Sequence, residues 1–179
     1  MRGLASAGQL NSQAARDIVT MDMEPGYFWF GAYRNFNLLV WRRGVELDAV
    51  ERLERTNPER VKAHPERIST VHIVAEGSGG GPTPEARDAL NTMHARYGHT
   101  VGCAAVVIER GGLMGLAVRS AVTGMLMLAP KHYRVKVFDH VDEAAPWLAE
   151  HHARSTGVEV ALPDLLSVLH VARESGKKP

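Results

Sequence analysis

Val135-Lys-Val-Phe-Asp-His-Val-Asp-Glu-Ala-Ala-Pro-Trp-Leu148 is the stretch whose reading decides the fold. Tyr133, Val135 and Val137 alternate with Arg134 and Lys136, the period of a strand with one buried face. The strand stops at Phe138. Asp139, Asp142 and Glu143 then place negative charge where a helix begins, and Ala144, Ala145, Trp147 and Leu148 supply its body, predicted to run to about Arg154. Trp147 is expected to be buried against the end of the sheet, and Pro146 would interrupt any helix starting as early as Val141. A strand that runs straight into a helix points to an α/β domain.

Working outward, the same alternation of signals recurs. Val101 to Ile108 is a continuous apolar run, as expected of a central strand covered on both faces. Gly111-Gly112 turns it into a predicted helix, Leu113 to Leu128, in which Arg119 is the one charge. Upstream, Ile68 to Ala75 reads as a strand, followed by a glycine-rich loop from Glu76 to Pro82 that is expected to be exposed. Thr83 and Pro84 have the form of an N-cap and first helical position, with a helix to Tyr97 and Gly98 at its end. Leu47, Val50 and Leu53 mark an earlier helix that Asn57-Pro58 interrupts and His64-Pro65 closes. Tyr27 to Arg34 and Asn37 to Trp41, joined at Asn35-Phe36, form an antiparallel hairpin.

The expected architecture is therefore a five-stranded mixed sheet, an N-terminal antiparallel hairpin followed by parallel strands, with helices packed on it. Residues 25–157 make the domain. Residues 158–175 carry a C-terminal amphipathic helix, with Leu162, Leu165, Leu166 and Leu169 at helical spacing. Residues 1–24 read as a leader, either disordered or an over-long start, because Gln9, Asn11, Gln13 and Asp17 break every apolar stretch a secretion signal would need.

Composition narrows the function. The 179 residues carry 21 Lys plus Arg against 20 Asp plus Glu, so no strong field draws the chain to nucleic acid or an acidic membrane. Gly111 to Pro130 is no membrane span, since Arg119 at its centre would cost about 2.5–3.5 kcal/mol. The single cysteine, Cys103, lies in an apolar strand, which fits a core residue in a reducing cytoplasm. Nine histidines include no metal-ligand spacing: His151 and His152 are adjacent and diverge on a helix, and His94 and His99 are five apart. They are expected on the surface. No cofactor motif is present either, because the glycines after the third strand are followed by Pro-Thr-Pro rather than Lys and Ser or Thr.

With Trp41 closing the hairpin, Pro82 to Arg87 opening a helix, Val118-Arg119-Ser120 in the next, and Lys136-Val-Phe-Asp139 followed by Asp142 to Leu148, residues 26 to 150 resemble the STAS-like superfamily. More narrowly they resemble bacterial anti-sigma-factor-antagonist-like stand-alone domains. The resemblance implies a non-enzymatic regulatory or protein-interaction module, with no active site. It also implies a switch by phosphorylation of Ser or Thr at the start of the helix after the third strand. Ser78 and Thr83 are the candidates there, although the family's usual Asp-Ser-Ser-Gly is missing.

Two further readings concern surfaces. Met114, Arg119, Met125 and Met127, on the nearly uncharged helix 113–128, are a candidate interface for a homodimer or a protein partner. The competing reading is a carrier of a small apolar ligand, because Tyr27, Phe28, Trp29, Phe30 and Tyr33 supply aromatics, of which strand alternation lets at most about half face a ligand.

Overall fold

The computed structural model describes residues 13–78, 81–109 and 133–178. Six strands form one sheet in sequence order: β1 (Val19–Glu24), β2 (Phe28–Tyr33), β3 (Phe36–Trp41), β4 (Ile68–Val74), β5 (Val101–Ile108) and β6 (Arg134–Phe138). The first three pair antiparallel and the last four parallel. This is the expected mixed sheet with one strand more than the five predicted.

The added strand, β1, lies inside the supposed leader, and a short helix, α1 (Gln13–Arg16), precedes it. Tertiary bonds hold β1 where its own pattern does not. The Trp29 indole donates to the Thr20 hydroxyl at 3.0 Å, and Arg52 reaches across to Asp22 at 2.6 and 2.8 Å and to Glu24 at 3.2 Å. Between β2 and β3 the turn is Arg34-Asn35, one residue earlier than predicted, with Arg34 at φ +49°. Phe36 is thereby inside the sheet and fully buried.

Helices cover both faces. On one, α2 (Leu47–Ala63) and α3 (Pro84–Tyr97) lie against the even-numbered residues of β4 and an aromatic cluster of Tyr27, Phe28, Phe30 and Trp41. Pro58 is absorbed within α2, which runs through the expected interruption to His64. On the other face, α4 (Val141–Thr156) and α5 (Leu162–Glu174) pack on Val71, Ile73, Cys103, Ala105 and Val107. The sheet-facing stripe of α4 is Val141, Ala144, Ala145, Leu148 and His152, which follow Val141 by three, four, seven and eleven residues.

That stripe corrects two expectations. Trp147 stands at its flank and is only half-buried, with its ring 5.6 Å from Phe138 and stacked at 4.4 Å on His151. His152, expected on the surface, falls on the stripe and is 0% exposed. The N-cap residue of α4 is His140 rather than Asp139, and Pro146 sits exposed within the helix. Gly102 permits the close approach of α4 to β5, since a Cβ there would meet the Ser155 hydroxyl at 2.6 Å. The end of α5 is tied back to the sheet by Arg42, which donates to the Arg173 and Ser175 carbonyls, and by the Arg173–Glu109 ion pair at 2.7 Å.

Candidate functional site

Where α2 and α3 diverge from the sheet they leave a cavity of about 60 Å³. Its floor comes from three neighbouring strands: alternate residues Asn37 and Leu39 of β3 and Ile68, Thr70 and His72 of β4, with Val101 and Ala104 of β5, which a register shift sets beside Ile68 and Thr70. Leu53, Asn57 and Val61 of α2 and Met93, His94 and Tyr97 of α3 form the roof, and Tyr133 closes the side. The cavity thus lies toward the N-terminal ends of the parallel strands, away from the C-terminal edge where open α/β sheets commonly carry ligands. Glu76 and Asp139 sit at that other edge.

The polar groups on this wall have defined roles. The Trp41 indole only donates, and it donates to His72 Nδ1 at 3.3 Å, so the His72 proton sits on Nε2. Burial pushes the His72 pKa down to about 4, with His94 nearby acting in the same direction, and keeps the ring neutral. The Arg60 guanidinium donates to Asn37 Oδ1 at 2.9 Å, which fixes the amide orientation and leaves its NH₂ uncommitted. His94 is edge-on to Tyr133 at 6.3 Å, and burial lowers the pKa of the first and raises that of the second. Among the described residues no charged side chain lines the cavity.

The opposite face holds a second polar group, and it is closed. Ser69 Oγ lies 2.8 Å from His152 Nδ1 and 3.3 Å from Cys103 Sγ, all three buried. His152 Nε2 has no partner among the described residues, so the arrangement of least cost is Nδ1–H donating to Ser69 and the Ser69 hydroxyl donating to sulfur, which leaves only a bare lone pair. Phe36 stacks on the imidazole at 4.1 Å. Burial pushes the His152 pKa down to about 4 and the Cys103 thiol up to about 11, so neither a protonated acid nor a thiolate is available near neutral pH. This triplet is a packed core element.

The predicted site residues fare differently. Thr83 caps α3, accepting from the Ala86 N–H at 3.2 Å, with Pro84 as the first helical residue. Ser78, expected in an exposed loop, is 1% exposed, although Glu76, Gly77 and Gly81 around it are exposed. Met114, Arg119, Met125 and Met127 lie outside the described residues, as does the helix predicted around them. The aromatics assigned to a carrier pocket are divided between two cores: Trp29 and Tyr33 face α4 and α5, while Tyr27, Phe28 and Phe30 face the other way. None lines the cavity. Reading the strands only for apolar residues misses Asn37, Thr70 and His72, yet Thr70 and His72 stand two apart in a strand and so share a face.

Among the described residues no group of three or more His, Cys, Asp or Glu side chains is placed to hold a metal ion. No helix among them is long and apolar enough to cross a membrane. No family model matches the chain, and no curated protein does. Among solved structures it is similar to an uncharacterized protein from the DUF3478 family with a SpoIIAA-like fold from Shewanella loihica PV-4. The two share 17% identity over 72% of this chain and 98% of that one, with a TM-score of 0.48.

Proposed function

We propose that the chain is a non-enzymatic regulatory or protein-interaction module of STAS-like type, working in the cytoplasm and pairing with a second copy of itself. The outer edge of β1, unpaired among the described residues, carries this reading. An edge strand presents unpaired backbone N–H and C=O groups, and addition of another strand is a recurrent mode of recognition. On this edge Val19 and Met23 are 62% and 49% exposed, the most exposed large apolar side chains of the described residues. Antiparallel pairing about a two-fold axis can set Val19 opposite Met23 of the second copy at both ends and Thr20 opposite Asp22. Apolar then meets apolar, and no acid faces an acid.

Sedimentation velocity over a range of concentrations tests the reading. A dimer that Met23→Lys converts to a folded monomer supports it. A wild-type chain that stays monomeric at the highest concentration, with Met23→Lys indistinguishable from it, overturns it. A phospho-switch is part of the same proposal, and Thr83 is better placed for it than buried Ser78. A phosphoryl group there would meet the open N–H groups of α3, and a Thr83→Glu variant with the dimer constant of wild type would speak against the switch.

A further inference from the structure

We infer that the cavity between the sheet and helices α2 and α3 is a binding site for a small uncharged carbonyl compound of amide type. The inference is independent of pairing through β1, which involves other residues. It rests on the hydrogen-bonding groups that the fold leaves unused. The Asn37 NH₂ and the His72 Nε2–H are both donors, the first because Arg60 holds the amide oxygen and the second because the Trp41 indole holds Nδ1. Two fixed donors on adjacent strands ask for an acceptor such as a carbonyl oxygen. Thr70, His94 and Tyr133 also line the wall, and their side chains make no hydrogen bond within the described protein, so each remains able to meet the other end of a ligand.

Charge and size restrict the ligand further. No described charged side chain lines the wall, and the nearest guanidinium, Arg60, has its donors committed to Asn37, His64 and the Arg34 and Phe36 carbonyls, so an anion entering the cavity would lose water without gaining a direct counter-ion. A neutral group exchanges its water bonds for equivalent ones. The volume of about 60 Å³ has room for roughly four waters at the ~10–15 Å³ each requires, which suits a group of about four heavy atoms. It is far below the several hundred Å³ of cavities that enclose drug-sized molecules, so a whole lipid is excluded from it.

The test uses acetamide, its isosteric anion acetate, and hexanamide, each titrated into the full-length protein while the ring nitrogens of His72 and His94 are followed by NMR. Acetamide should produce saturable shifts in the millimolar range, and acetate should bind at least tenfold more weakly. Hexanamide binding as well as acetamide would mean that the recognised carbonyl sits at the end of a longer molecule reaching through the mouth. Hexanamide failing to bind would mean a free small amide. Ala104→Leu, which fills the cavity, should abolish the response, and Thr70→Val should weaken it several-fold; the second serves if the first does not fold. Absence of any response at either histidine, equal binding of acetate, or a response that survives Ala104→Leu in a folded protein overturns the inference.

Discussion

The two faces of this sheet come from the same strands and differ in how completely they are used. Ser69, Val71 and Ile73 of β4 look toward α4 and α5 into a sealed core, where Ser69, His152 and Cys103 bond to one another and only His152 Nε2 of the three residues' side chains is left over. Ile68, Thr70 and His72 of the same strand look toward α2 and α3, where an aromatic core gives way to a cavity with unspent donors and acceptors. A strand's alternation therefore separates a structural face from a receptive one at single-residue resolution. Buried polarity does not tell the two apart. What does is where the unpaired atoms lie: His152 Nε2 is enclosed by packing, whereas the uncommitted groups of Asn37, Thr70 and His72 line a cavity.

Truncation on the sealed face should break the comparison most forcefully. Leu148 is fully buried on the stripe of α4, and Leu148→Ala should cost about 2–5 kcal/mol in urea unfolding, through lost transfer energy and the cavity left behind. A loss under 1 kcal/mol would mean that this face is as loosely packed as the other.

Acid should act next, through His152. Unfolded, its imidazole takes up a proton near pH 6.5, whereas in the fold it does so only near pH 4. As pH falls the unfolded state gains the proton first, so the stabilisation is complete above about pH 6.5 and declines between pH 6.5 and 4. With one pKa unit worth about 1.4 kcal/mol, the full decline is on the order of 3 kcal/mol. Unfolding free energies at pH 7.5 and 4.5 should therefore diverge; His72, whose pKa burial also lowers to about 4, contributes a similar decline, so His152→Phe should remove about half of the difference. An unchanged slope would assign the pH response to other groups.

Two neighbouring substitutions sharpen the contrast to adjacent residues. Ser69→Ala should cost about 1–3 kcal/mol, because His152 Nδ1 would be left buried without a partner. Thr70→Val, one position along and on the cavity side, should change stability by no more than about 0.5 kcal/mol, since that hydroxyl supports nothing in the fold. Equal effects at the two positions, measured in parallel denaturation curves, would erase the distinction between the faces.

The alternation of Val135 and Val137 with Arg134 and Lys136, the apolar run at Val101 to Ile108 and the Thr83-Pro84 helix start were legible because each is a local pattern, and they led to the mixed sheet and its parallel half. Strand β1 was not legible, because what holds it is remote: Arg52 on α2 and Trp29 on the next strand. Helical spacing placed residues of α4 on a face but not the phase of that face against the sheet, so Trp147 and His152 exchanged their expected places. The cavity shows the same division. Thr70 and His72 share a side by the rule of two, which residue order alone determines. That their partners are Asn37, His94 and Tyr133, and that Trp41 and Arg60 fix which atoms stay free, depends on side chains from distant segments meeting in three dimensions. Order in the chain settles direction and period. Only packing settles which polar atoms are already satisfied, and hence which are left to bind.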